Sequence, residues 1–142
     1  MKLKSLLTAF LVMLATFAMA QVEDGKVYRI VSAKYGTVVS ENPITHKLSC
    51  TSKGTETDYQ EMWKFAATAD GKFTIQNVYT QRYIQYETGK NVVWRTATDQ
   101  AQFSIAETPN LKGCYNIDRA AGNNWGMHCD GSSNIVPWSY GT

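Results

Sequence analysis

The stretch "GKFTIQNVYTQRYIQYETGKNVVW" at 71–94 recurs in altered form as "GCYNIDRAAGNNWGMHCDGSSNIVPW" at 113–138. At a constant offset of 42, Gly71 meets Gly113, Phe73 meets Tyr115, Ile75 meets Ile117, Tyr83 meets Trp125 and Gly89 meets Gly131. Small residues stay small and aromatics stay aromatic, so one structural unit is used more than once. A looser copy precedes both. Tyr28-Arg29-Ile30 matches Phe73-Thr74-Ile75, and Val38-Val39 matches Tyr83-Ile84, at an offset of 45. Its close matches at an offset of 40: Gln60 with Gln100, Trp63 with Phe103, Phe65 with Ile105. The change of offset places a longer loop in the first unit, within "ENPITHK" or "TSKGTETD".

Within a unit the signals are those of short strands: runs of Val, Ile, Tyr, Phe, Trp and Thr broken by Gly, Asn, Asp and Ser. The second unit predicts four strands, at 72–77, 82–86, 92–96 and 102–106. "ETGKN" reads as a hairpin turn in which Gly89 takes a positive φ. Three units of four strands are too few for a propeller, which closes with at least four blades. They suit an all-β, threefold barrel capped by hairpins, the β-trefoil. In this arrangement the first and fourth strands of each unit build the barrel and the second and third form the cap. The competing arrangement is a β-sandwich with chance repetition.

The first twenty residues stand apart. "MKLKSLLTAFLVMLATFAMA" has two lysines, an apolar run too short for a membrane span, and a small-x-small end, the form of a secretory signal peptide cleaved before Gln21. The mature domain is then 21–142, exported to a periplasmic, cell-surface or secreted location, with no membrane span left after cleavage. Lys2 and Lys4 leave with the signal, so the 14 basic residues fall to match the 12 acidic ones. The pI of 8.4 therefore overstates the charge of the mature domain, and no nucleic-acid partner is implied. A domain of this size buries enough surface to fold without a metal staple.

Three cysteines in an oxidising compartment leave at least one unpaired. We expect a Cys114–Cys129 disulfide, worth about 3 kcal/mol by loop closure, with Cys50 free. Catalytic and cofactor chemistry finds no support. "HCD" at 128–130 sets His128, Cys129 and Asp130 side by side, but neighbours on a strand point to opposite faces. No Cys-x-x-Cys or His pair stands at metal-ligand spacing, and the glycines are isolated turn residues, not a phosphate loop. His46 is expected in a solvated loop.

The segments "YRI", "YIQY", "VVW" and "YQEMWKF" resemble the repeats of ricin B-type β-trefoil lectin domains, and the resemblance covers most of 25–142. That family closes each repeat with Gln-x-Trp. Here "QEMW" carries one residue more between Gln60 and Trp63, and the second unit has Gln102-Phe103. The resemblance implies carbohydrate binding: an aromatic at the end of the third strand stacks on the sugar, while an Asp on the second strand and a nearby amide hold its hydroxyls. The aromatic position maps to Trp94 and Trp138; in the first unit "KLSC" has none. The Asp position maps to Ser40, Gln85 and Met127, none a carboxylate. Asp130 with Asn134 beside Trp138, and Glu87 with Asn91 beside Trp94, are the expected substitutes. The resulting expectation is a non-catalytic glycan-binding module, part of or accessory to a glycan-degrading protein. The alternatives are a protein-binding trefoil such as a protease inhibitor, with Lys53 in "SKGTETD" as the loop residue, or a spacer domain.

The repeat also predicts what the chain lacks. The partners of Gln100 and Phe103 in the third unit fall at or beyond the last residue, so the trefoil is expected to be incomplete at its C-terminal end. Its twelfth strand would lie between the first and the ninth. The edges at 27–31 and 115–118 are then open, with a gap in the barrel wall.

Overall fold

The computed structural model describes residues 22–87, 89, 91–119 and 125–139. The leader at 1–20 and its cleavage point lie outside them. The described residues form eleven strands in three units. The first unit is β1 (Val27–Tyr28), β2 (Val38–Glu41), β3 (Leu48–Thr51) and β4 (Trp63–Ala67). The second is β5 (Phe73–Asn77), β6 (Tyr83–Gln85), β7 (Arg95–Ala97) and β8 (Phe103–Glu107). The third is β9 (Tyr115–Arg119), β10 (Trp125–Cys129) and β11 (Ile135–Ser139). One 3-10 turn, Tyr59–Glu61, precedes β4.

The pairing is that of a trefoil. The second and third strands of each unit form a hairpin: β2–β3, β6–β7 and β10–β11. Fourth strands join units. β4 pairs with β1 (Tyr28↔Trp63) and along its whole length with β5. β8 pairs with β5 at Phe73↔Phe103 and along its whole length with β9. Among the described residues the barrel order is β1-β4-β5-β8-β9, and β1 and β9 do not pair. Among the described residues no strand lies between β1 and β9, and the unpaired stretches are shorter than the expected 27–31 and 115–118. Val31 bridges Val38, and Asp118 pairs with Gly126, so the open edges are the first residues of β1 and of β9.

Three of the second unit's predicted strands hold to within about two residues. The third begins later, at Arg95 rather than 92, because the backbone before it is engaged elsewhere. The Trp94 N–H donates to the Ile135 carbonyl (2.7 Å), and the Leu48 N–H donates to the Trp94 carbonyl (2.8 Å). These bonds tie the three hairpins together and make Leu48, Trp94 and Ile135 equivalent positions, all essentially inaccessible.

The core follows period-two alternation. On β4, Trp63 and Phe65 are buried and Lys64 between them is exposed. Trp63 and Phe103 begin β4 and β8 as equivalents and are both fully buried, as the repeat implied. Trp63 also donates its Nε1–H to the Val39 carbonyl at 2.8 Å. Hairpin turns rest on short polar residues: Asn42 Oδ1 accepts from the Ile44 and Thr45 N–H groups, and Asp130 Oδ1 from those of Ser132 and Asn134. Gly89 has φ +110°, as its turn requires.

The expected Cys114–Cys129 disulfide is absent; all three thiols are free. β9 and β10 pair only at Asp118↔Gly126, so the ladder that would set the start of β9 against Cys129 is never made. Cys129 lies instead beside Cys50 and Thr37. Burial pushes the Cys50 thiol up to about 12 from its ordinary 9.0; the neighbouring Cys129 adds to this and Thr37 opposes it. Only the thiolate is nucleophilic, so in the folded chain at pH 8 iodoacetamide should modify Cys114 and Cys129 and spare Cys50. Peptide mass spectrometry reads this directly; Cys50 alkylated as fast as the others would contradict it. The raised value also means that Cys50 favours folding fully below pH 9, a contribution lost as pH climbs toward 12.

Candidate functional site

β10 and β11 run antiparallel, with Gly126 opposite Trp138 and His128 opposite Val136. Residues 128 and 138 are therefore diagonal neighbours on one face of the hairpin. Gly126 has no side chain, which leaves room for the Trp138 indole to lean toward His128. The two rings are 5.5 Å apart at 31°. Trp138 is 42% exposed. The result is an aromatic platform at the surface with an imidazole beside it, able to offer an apolar face and a hydrogen-bonding nitrogen to one ligand.

The register shows which residues correspond across units. From Leu48, Trp94 and Ile135, the position of Trp138 corresponds to Thr51, opposite Val38, and to Ala97, opposite Tyr83. Only the third unit carries an aromatic there. The matching of "VVW" with "IVPW" is thus corrected by three residues: the counterpart of Trp94 is Ile135. Trp94 is 0% exposed, packs against Phe103 at 5.8 Å, and has no face free for a sugar. Its buried Nε1 makes no hydrogen bond. The residues expected to assist it have other roles. Glu87 pairs with Arg95 at 3.7 Å, and Asn91 holds a turn with φ +67°.

The second-strand position is corrected too. Ser40, Gln85 and His128 correspond, opposite Ser49, Arg95 and Val136. Met127 points to the other face and packs on the core. His128 was visible in the sequence only as part of "HCD"; its role depends on a register one residue away from the repeat offset.

Asp130 and Asn134 do not converge on Trp138. Both Asp130 oxygens are engaged within the turn: Oδ1 by the Ser132 and Asn134 N–H groups at 2.8 Å, Oδ2 by the Asn134 side-chain amide at 3.0 Å. The Asn134 amide holds the Asp130 carboxyl below its ordinary 3.8, with the backbone N–H groups and His128 adding to this. Asp130 occupies the place of Asn42 in the first hairpin, so its work is to hold the turn. Along β11, Asn134 is four residues from Trp138, about 13 Å at roughly 3.3 Å per residue.

Other polar clusters are structural. His46, expected in a solvated loop, is half-buried and places Nδ1 3.0 Å from Glu41 Oε1. Lys53 is exposed, but its loop is pinned: the Gly54 N–H donates to Glu61 and the Thr55 N–H to Asp58.

No protein-family model matches the chain, and no curated protein matches it in sequence. Solved structures do match. A ricin B-like lectin of Macrolepiota procera, in complex with lactose, superposes at TM-score 0.73 with 17% identity, covering 87% of this chain and 92% of that one. SeviL bound to asialo-GM1 saccharide follows at TM-score 0.67 and 18% identity, covering 84% and 91%. An endo-β-galactosidase from Clostridium perfringens matches at TM-score 0.65 and 14% identity, covering 87% of this chain and 31% of the enzyme. The fold of this chain is the β-trefoil of the ricin B-like lectins.

Proposed function

We propose that the chain is a non-catalytic carbohydrate-binding module whose ligand stacks on Trp138 and hydrogen-bonds to His128. The observation that carries this is the exposed indole beside an imidazole at the one third-strand position where the repeat has an aromatic. Neighbours of the same fold are lectins named with lactose and with an asialo-GM1 saccharide, which supports a glycan as the ligand class. The match to part of an endo-β-galactosidase supports a module that acts within or beside a glycan-degrading protein. The reading includes export after removal of 1–20, which N-terminal sequencing of the secreted protein would test by a start at Gln21.

A glycan array on the purified chain, followed by titration of the best glycan, tests the binding. Stacking contributes about 0.5–1.5 kcal/mol beyond area burial, so Trp138→Ala should weaken binding roughly tenfold or more. Its melting should stay near that of the parent, because the ring is already partly in solvent. His128→Ala should weaken binding by a smaller factor. Binding unchanged in Trp138→Ala, or collapse of the fold in that variant, refutes the assignment.

A further inference from the structure

The three hairpins occupy equivalent places, so a contact between two of them has a counterpart elsewhere in the fold. Glu41 lies opposite Leu48, and Cys129 opposite Ile135; with Leu48, Trp94 and Ile135 equivalent, Glu41 and Cys129 correspond. Cys50 and Thr96 correspond as well, each two residues after its reference position. Thr37 and Arg82 precede the equivalent Val38 and Tyr83. Between the first and second units, the Thr96 hydroxyl donates to Glu41 Oε1 at 2.6 Å and Arg82 Nε donates to Thr96 Oγ1 at 3.2 Å. Between the third and first units the same places hold Cys129, Cys50 and Thr37. The contacts recur there: the Cys50 thiol interacts with Cys129 and Thr37, and Thr37 Oγ1 lies 4.0 Å from Cys129 Sγ. The backbone repeats too. The Thr96 N–H donates to the His46 carbonyl at 2.9 Å, and the Cys50 N–H to the Ser133 carbonyl at 2.6 Å. Ser49 also bridges Asn134, which fixes β3 against the hairpin that carries Cys129.

We propose that Cys50 and Cys129 close a disulfide joining the hairpins of the first and third units, the covalent counterpart of the Glu41–Thr96 bond. The oxidant is a small-molecule disulfide such as oxidised glutathione. Burial holds the proton on Cys50, so Cys129 opens the exchange. Its thiolate attacks one glutathione sulfur, and the other glutathione leaves as a thiol with the proton that Cys129 lost. Cys50 then releases its proton and attacks Cys129 Sγ in the mixed disulfide, and the second glutathione thiol leaves with that proton. Two thiols of the chain are oxidised and one glutathione disulfide is reduced. By the second step Cys129 carries no negative charge to oppose ionisation of Cys50, and Thr37 remains as its hydrogen-bond partner. Cys114, at the start of β9, is left as the odd thiol.

The test equilibrates the full folded chain with oxidised and reduced glutathione, without denaturant, then alkylates it and cuts it with trypsin. Trypsin separates the three cysteines: Cys50 in 48–53, Cys114 in 113–119 and Cys129 in 120–142. We expect 48–53 linked to 120–142, lighter by two hydrogens than the separate peptides, and 113–119 alkylated. The oxidised chain should melt at least about 5 °C above the reduced one, since the bond closes a long loop of the unfolded chain. Cys114→Ser should keep both the link and the shift; Cys129→Ala should lose both. If Cys129→Ala fails to fold, the peptide map of the parent decides the matter by itself. A link through 113–119, no link in the folded chain, or glutathione retained on Cys129 at equilibrium overturns the proposal.

Discussion

Trp63→Ala is expected to cost about 3–5 kcal/mol of folding stability, the range for removing a large buried aromatic. Trp63 is fully buried at the start of β4, opposite Tyr28 on β1 and Asn77 on β5. Its loss opens a cavity where the two units are joined. It also leaves the Val39 carbonyl without the indole N–H it accepts from, and a buried acceptor so stranded adds to the cost. Because whole domains are stable by only roughly 5–15 kcal/mol, this loss is a large fraction of the total. Urea denaturation followed by far-UV circular dichroism measures the loss. Trp138→Ala is the internal control: same residue type, but exposed on a hairpin face. Comparable losses in the two variants would show that the burial pattern described for them is wrong.

Glu41→Ala is expected to cost about 2–4 kcal/mol, from the loss of charge-assisted hydrogen bonds in a buried setting. The Glu41 side chain is inaccessible and binds three groups. Oε1 accepts from the Thr96 hydroxyl at 2.6 Å and contacts His46 Nδ1 at 3.0 Å; Oε2 accepts from the Thr80 hydroxyl at 2.6 Å. Thr80 and Thr96 belong to the second unit and Glu41 to the first, so this carboxylate fastens one hairpin to its neighbour. Glu41→Gln keeps the shape and one carbonyl acceptor and should lose roughly half as much. Chemical denaturation of both variants, with an unchanged denaturant slope as the check that the unfolded state is the same, gives the comparison. A Glu41→Ala chain as stable as the parent would mean that the buried carboxylate contributes nothing net.

Two buried carboxylate clusters, Glu41 with threonines of the second unit and Glu61 with Arg29 at 2.7 Å within the first unit, have no signature in the sequence. A glutamate among loop residues reads as solvated, and its burial depends on partners supplied from distant segments. The candidate site shows the same limit. The resemblance points to Trp138 as the aromatic at a strand end, with Asp130 and Asn134 as its expected companions. Those two are turn formers in any sequence, and here they bond to each other. His128, which does face Trp138, stands in the sequence only within "HCD", where alternation argues against a joint catalytic site and says nothing of Trp138.

What the sequence by itself determined is local and periodic: three units, four strands in the second, buried Trp63 and Phe103 at equivalent places, and Gly89 in its turn. Alternation and turn chemistry are properties of a few consecutive residues, so they survive without knowledge of the rest of the chain. The tertiary structure decided which aromatic is core and which is surface. "VVW" and "IVPW" look alike along the chain, yet the bonds from Leu48 to Trp94 and from Trp94 to Ile135 draw Trp94 to the inside and leave Trp138 three residues further out. A shift of register moves a side chain between core and solvent at no local cost, so only contacts between units could fix it.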